Sequence, residues 1–281
     1  MRKKTLLLLF VLFLGITFVP APRLSAQEAP SDLSSSPETN FKKAYESYLI
    51  KFDEYRQAHK DYLIAKNQYQ TYETLAAKTI ALERSIAVLQ ARAEVMISFL
   101  AAARIKLADE TNVGSSRLNL IYLQLDDEIT WFKQHKATLS SAGSLPDLFK
   151  VADGFNDHHS TAEFLVYESS LAIFFHKEDE LHQRLESEIK KVEEKILEIR
   201  LRGNKNTSTI ERWLLEAKNR KFRSDEKLEE ARSKKVNPLS GSNQKRQSFN
   251  QIVILIEESH QYLKETNYNL KEIIAEIKRA D

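Results

Sequence analysis

The chain has 281 residues, of which none is cysteine and only six each are glycine and proline. The absence of cysteine excludes a thiol nucleophile, a disulfide framework, a cysteine-ligated zinc site and a lipid-modified N-terminal cysteine. Glycine makes up about 2% of the chain, against about 7% in ordinary proteins. We therefore expect neither a glycine-cradled nucleotide site nor a turn-rich β-sandwich or barrel.

Sequence signatures of enzymes are also missing. The chain contains no Gly-x-Ser-x-Gly nucleophile elbow, no phosphate-binding loop and no dinucleotide fingerprint. It has no His-Glu-x-x-His motif and no EF-hand loop. We predict that the protein is not an enzyme, and the sequence assigns no catalytic, cofactor-binding or metal-ligating residue.

The N-terminus has the order of a secretory signal peptide. Basic residues at positions 2–4 precede an uncharged apolar run at positions 5–19, and Leu24-Ser25-Ala26 provides a cleavage site. The apolar run is shorter than the roughly 20 residues that a membrane-spanning helix needs. The sequence predicts a signal peptide over residues 1–26, and with it export to the cell envelope or exterior. The alternative is an uncleaved N-terminal anchor.

Export changes the charge balance of the protein. Residues 1–26 hold four basic side chains and no acid, so the mature chain has 38 basic and 40 acidic side chains. Nucleic-acid binding needs a clustered positive surface, which this balance does not favour. We identify no second apolar run of spanning length, so we expect membrane contact only through the N-terminal segment, if it is uncleaved.

The positions of the helix breakers define the domain organisation. Residues 27–40 are rich in serine, proline and acidic side chains, a composition typical of a disordered tether. From Phe41 to Asn112 there is neither glycine nor proline, and the later ones fall between periodic segments. The sequence predicts a single all-α domain over residues 41–281. Its helices are expected at about 41–109, 117–139, 147–155, 160–202, 209–235 and 244–279.

Apolar residues recur at a spacing near 3.5 residues in three of these helices, which keeps an apolar stripe against a partner helix. We therefore predict an elongated antiparallel helical bundle with long coiled-coil helices. The stripes consist of Leu75, Leu82, Leu89 and Met96 in the first helix, Leu185, Ile189, Val192, Ile196 and Ile199 in the helix over 160–202, and Phe249, Ile256, Leu263, Leu270 and Ile277 in the last.

The predicted first helix is unusually long. A continuous helix over 41–109 would extend roughly 105 Å, whereas a compact domain of this chain length has a radius of gyration of about 18 Å. We therefore expect either a rod or a first helix that bends or breaks. The apolar phase shifts between Tyr69 and Ala76, which is the expected position of the bend.

A row of aromatic residues runs along the first helix. Phe41, Tyr48, Tyr55, Tyr62 and Tyr69 lie seven residues apart, with small alanines beside them. Such a row is typical of a helix seam in which tyrosine rings pack over alanine. The alternative function is a stacking platform for sugars or a docking strip for another chain, since tyrosine is enriched at interfaces.

Two short motifs approximate the spacing found in di-iron carboxylate bundles. Asp179-x-x-His182 and Glu257-x-x-His260 each place an acid three residues before a histidine. A di-iron site also needs a glutamate from each of two further helices, and these cannot be assigned. We therefore predict no metal site and no cofactor.

Two further polar segments are expected to be solvated surface. His158 and His159 follow Gly154 in what reads as a loop. The basic residues between Lys218 and Arg223 are followed directly by acidic ones, and successive residues spread around a helix. Neither segment predicts a binding site.

The sequence therefore supports two hypotheses of different classes. The first is an exported structural or adaptor protein, which acts through coiled-coil contacts with a protein partner or with itself. The alternative is a helical bundle that binds a small ligand or glycan, with Tyr48 to Tyr69 as one wall of the site. Neither hypothesis involves nucleic acid.

Overall fold

The computed structural model describes residues 37–110, 116–203 and 206–280. No strand occurs in these three ranges, and the seven helices pack on one another, so the protein is an all-α helical bundle and the predicted fold class is confirmed. The helices are α1 (Pro37–Tyr72), α2 (Leu75–Glu110), α3 (Ser116–Leu139), α4 (Leu145–Val151), α5 (Phe155–Arg202), α6 (Ser208–Ser233) and α7 (Ser242–Ala280).

The predicted N-terminal segments fall mostly outside this description. The signal peptide over 1–26 and the tether up to residue 36 lie outside the described residues. The tether was expected to extend to residue 40, but α1 already begins at Pro37. Proline is well tolerated in the first turn of a helix, where its missing N–H would have no partner.

The chain turns back between α1 and α2, so the prediction of one helix over 41–109 is wrong. Helix α1 ends at Tyr72 and α2 begins at Leu75. Glu73 between them has a φ angle of 46°, which lies in the left-handed region that often ends a helix. The break falls inside the interval where the apolar phase shifts.

Helices α1 and α2 form an antiparallel hairpin. The ring of Tyr48, early in α1, lies 5.3 Å from the ring of Phe99, late in α2. Nearer the turn, Asp61 of α1 approaches Arg84 of α2 at 4.0 Å. The backbone of α1 approaches only that of α2 among the described helices, whereas α2 also packs on α3, α4 and α5.

Helix α2 is therefore the central helix of this part of the bundle. No residue between 86 and 103 is exposed. By length and composition, α2 is the one helix of the described ranges that could cross a membrane, which was not predicted from the sequence. In this structure its apolar side chains pack against four neighbouring helices.

Helix α5 extends past α2 and α3 and continues into a three-helix bundle with α6 and α7. It begins at Phe155 rather than at the predicted residue 160. The residue before the helix is Gly154, with a φ angle of 79°. Because Gly154 lacks a Cβ, it adopts this angle at little cost, and the chain passes from α4 into α5 with few connecting residues.

Two of the three predicted stripes form the core of the bundle made by α5, α6 and α7. Every residue of the stripes in α5 and α7 is buried, and all but Phe249 and Ile256 belong to one continuous apolar cluster with Ile210, Leu214 and Ala217 of α6. The stripe in α2 is only partly correct, because Leu75 is 81% exposed while Met96 is buried.

The burial of α2 predicts where substitutions destabilise the protein. Leu100 has no exposed surface, so Leu100→Ala leaves a cavity and is expected to lower the free energy of unfolding by about 3 kcal/mol. Leu75→Ala, at an exposed position of the same helix, is expected to change it by less than about 0.5 kcal/mol. A urea titration monitored by circular dichroism measures the free energy of unfolding of both variants. Equal losses would contradict the central position of α2.

Candidate functional site

A cleft of about 270 Å³ opens between α1, α2 and α4. The aromatic row of α1 supplies one wall, because residues three and four apart lie on the same helix face. The ring centroid of His59 lies 5.8 Å from that of Tyr55 and 6.1 Å from that of Tyr62. His59 was not predicted as part of the row, although its spacing from both tyrosines would have placed it there.

The rest of the predicted row has different surroundings. Tyr48 is buried beneath α2, and this burial, together with Tyr45, raises the pKa of Tyr48 to about 12. Tyr55 and Tyr62 are only half-buried and line the cleft. The row is therefore a helix seam at its start, and it lines a cleft in its middle.

Helix α4 forms the opposite wall. Ser144 caps it by accepting a hydrogen bond from the backbone N–H of Asp147 at 3.3 Å, and Leu148 packs into a small apolar cluster with Leu139 and Ala142. This packing leaves Phe149 at the mouth of the cleft with 78% of its surface exposed. An exposed phenylalanine beside two tyrosines gives the cleft an aromatic rim.

Arg92 of α2 lies in the cleft as its one permanent cation. The guanidinium carbon lies 3.8 Å from the ring centroid of Phe155. Burial lowers the pKa of Arg92, and Tyr55 is the charge partner that opposes this shift. Among the described residues, no carboxylate forms an ion pair with Arg92. A desolvated guanidinium without an anion is energetically costly.

Histidines and a tryptophan lie next to Phe155. The ring of Trp131 stacks between those of His135 and His158, with centroid distances of 4.6 and 3.6 Å. His158 Nδ1 lies 2.8 Å from a carboxylate oxygen of Glu128. The prediction that His158 and its neighbour lie in a surface loop is wrong, because both belong to the first turns of α5 and are half-buried.

Burial shifts the pKa of several titratable groups near Arg92 or near Trp131. Burial, with the charges of His158 and Arg92, lowers the pKa of His135. Burial and the charge of Arg92 also lower the pKa of His159, while burial raises the pKa of Glu128. Burial disfavours the charged form of each group.

A second polar cluster lies inside the bundle of α5, α6 and α7. His182 Nδ1 lies 2.8 Å from Asp225 Oδ1, and His182 Nε2 lies 3.2 Å from Ser224 Oγ. The hydroxyls of Ser224 and Ser259 are 2.8 Å apart. Ser224 and Asp225 were not predicted as partners of His182, because they are distant in sequence and carry no motif.

The order Asp225, His182 and Ser224 matches that of a catalytic triad, but the serine is inaccessible. Ser224 and Ser259 have no exposed surface. Ser224 Oγ donates to the backbone carbonyl of Ser259 at 2.8 Å, and Ser259 Oγ donates to that of Ser224 at 3.0 Å. A nucleophile must reach its substrate. In this arrangement the cluster ties three helices together.

The two acid–histidine motifs do not form a common site. Asp179 pairs with Arg232, and His260 pairs with Glu178 at 2.8 Å, while His182 is held by Asp225. Within the described ranges, no group of three or more histidine, aspartate and glutamate side chains is arranged to hold a metal ion.

The basic segment of α6 is matched by acidic partners. Lys218 pairs with Glu193 of α5. Arg220 contacts Glu265 of α7 at 2.6 Å, and Lys221 contacts Asp225 at 2.9 Å. These exposed or half-exposed pairs contribute little stability, and they leave no unbroken positive face along this segment.

No protein-family model matches the chain, and no curated protein or solved structure matches it either.

The lowered pKa of His135 predicts a pH-dependent stability. The pKa in the folded state lies below that in the unfolded state, so the unfolded chain binds the proton first as the pH falls through about 6.5. Between about pH 7.5 and about pH 5.5, the wild type should therefore lose more free energy of unfolding than His135→Gln. Denaturant titrations at the two pH values measure the difference. Equal losses in the two proteins would contradict the assigned role of burial.

The buried serine pair predicts coupled effects on stability. Ser224→Ala and Ser259→Ala each remove a hydroxyl from the same cluster and are expected to cost about 1–2 kcal/mol. Because the two hydroxyls share partners, the double variant should depart from additivity by more than about 0.5 kcal/mol. A double-mutant cycle by urea unfolding measures this departure. Additive losses would show that the two hydroxyls act independently.

Proposed function

We propose that the protein is an exported, non-enzymatic structural or adaptor protein of the cell envelope or exterior, which acts through helical contacts with a protein partner or with itself. The observation that carries this proposal is the hairpin end, which we define as residues 63–80 on both sides of the turn between α1 and α2. The predicted signal peptide supports export, and the burial of Ser224 supports the absence of catalysis.

The hairpin end combines exposure with apolar character. Ile64 is 58% exposed, Tyr72 69% and Leu75 81%, and Ile80 is also exposed. The backbone of α1 approaches only that of α2, so no other described helix packs on the α1 side of this end. Single exposed apolar residues are common on protein surfaces, but several together mark an interaction site.

The hairpin end is also weakly charged. Only Lys66, Glu73 and Lys78 carry charge between residues 63 and 80, in a chain whose charged fraction is 29%. Depletion of charge is the compositional feature of interface cores. Burying apolar surface on a partner contributes about 25 cal/mol per Å² before the costs of association. A helical partner suits this surface because its apolar side chains can pack along both helices.

Negative charges introduced into the hairpin end are expected to weaken the association of the protein with a partner or with itself. Ile64→Glu combined with Leu75→Glu is expected to reduce association at least about tenfold, because carboxylates would have to be desolvated at the interface. The measurements are analytical ultracentrifugation and chemical crosslinking of the purified protein at micromolar concentration, followed by crosslinking in the envelope of source cells.

A matched control is Leu239→Glu, because Leu239 is 93% exposed and lies in the connection between α6 and α7. This variant should associate like the wild type. A strictly monomeric wild type with no retained envelope partner would exclude the adaptor function. Equal losses in both variants would show that the hairpin end is not the contact surface.

A second candidate function is favoured by the cleft. A binding module for a small ligand needs a concave, mostly apolar site with a few polar groups that orient the ligand. Tyr55, Tyr62 and Phe149 supply aromatic walls, and Arg92 and His59 supply polar groups. The two candidate functions use different surfaces of the same hairpin and are tested separately.

A further inference from the structure

The walls of the cleft are mainly apolar, and they carry a single fixed charge. Aromatic and aliphatic side chains from α1, α2 and α4 line it, and no aspartate or glutamate is among the lining residues. Arg92 is its only lysine or arginine. A ligand that fits this surface combines an apolar body with one negative group.

Arg92 differs from the other arginines of α2. Arg84 and Arg104 lie on the same helix, and each has a carboxylate partner, Asp61 at 4.0 Å and Asp126 at 2.7 Å. Both are exposed enough to be hydrated as well. Arg92 is half-buried, stacked on Phe155 and without a carboxylate among the described residues. The least hydrated arginine of this helix is therefore the one that lacks an anion.

We propose that the cleft binds a small monocarboxylic acid with an aromatic or branched apolar body. The carboxylate would accept two parallel hydrogen bonds from the guanidinium of Arg92, and the body would pack between Tyr55, Tyr62 and Leu148. This inference rests on the second candidate function, the binding module, and names its ligand class.

The geometry favours a carboxylate over a phosphate. The planar guanidinium matches a carboxylate through two hydrogen bonds, whereas a doubly charged phosphate group at this site would have only one fixed cation to balance it. The volume of about 270 Å³ lies below the roughly 300–1,000 Å³ of sites for drug-sized ligands. The site therefore suits an acid with a single ring or a short branched chain.

The test is a calorimetric titration of the purified full-length protein with 3-phenylpropionate and with its neutral analogue 3-phenylpropanamide. We expect the acid to bind at least about tenfold more tightly than the amide, because only the acid neutralises Arg92. Arg92→Met keeps the apolar contact with Phe155 and should weaken binding of the acid at least about tenfold. Arg84→Gln removes an arginine of the same helix outside the cleft and should bind the acid like the wild type.

Two further measurements separate binding from folding. Circular dichroism and urea unfolding should show that Arg92→Met is folded, because a desolvated charge without a partner contributes little to stability. Tyr55→Leu combined with Tyr62→Leu should abolish binding of the acid and keep the helical content. Loss of helical content in this variant would assign both tyrosines to the core and overturn the proposed wall.

Each remaining outcome decides a different point. If acid and amide bind equally, or if Arg92→Met binds the acid like the wild type, the carboxylate inference is wrong and the binding module stands. If neither compound binds at millimolar concentration, the carboxylate inference is wrong, and the cleft then has no ligand that supports the binding module. None of these outcomes bears on the hairpin end.

Discussion

Helix α2 carries apolar side chains around most of its circumference between residues 86 and 103, and none of these residues is exposed. A helix that is apolar all round has to be covered on every side. Helix α1 covers one side, and α3, α4 and α5 cover the others. The turn at Glu73 lets α1 cover one side of α2, because it reverses the chain and so places α2 antiparallel to α1. Towards Leu75 the residues of α2 become exposed, and so does most of the rest of the hairpin end.

Two buried polar side chains of α5 are held by partners on α6 and α7. His182 is held by Asp225 and the two buried serines, and Glu178 is held by His260. Removing one partner from such a pair would leave a buried polar group unsatisfied, which costs more than the pair contributes. Arg92 stands out against this background, because its nearest strong contact is an aromatic face. This contrast, together with the shape of the cleft, supports the proposed binding module.

The sequence predicts the helices that end at glycine or proline, and it predicts the buried stripes of α5 and α7 because apolar periodicity reflects burial directly. The phase shift between Tyr69 and Ala76 predicts where α1 ends, but it does not predict that the chain reverses at Glu73, where neither glycine nor proline stands. A residue other than glycine in the left-handed region costs roughly 1 kcal/mol of conformational free energy. The packing of α1 on α2 offsets this cost, and that packing is not visible in the local sequence. The cleft could not be predicted for another reason. Three helices have to pack together before its lining residues, among them Tyr55, Arg92 and Leu148, come close to one another.

The two proposed surfaces are physically linked through α1. The backbone of this helix approaches only that of α2 among the described helices, so its position depends on this one seam. A ligand between Tyr62 and α4 would add contacts that hold α1 against the rest of the bundle, and it would stabilise that arrangement in proportion to its occupancy. If docking at the hairpin end shifts α1, binding at one surface changes the affinity of the other by the same factor in both directions. An adaptor role and a ligand-binding role would then be two properties of one hairpin.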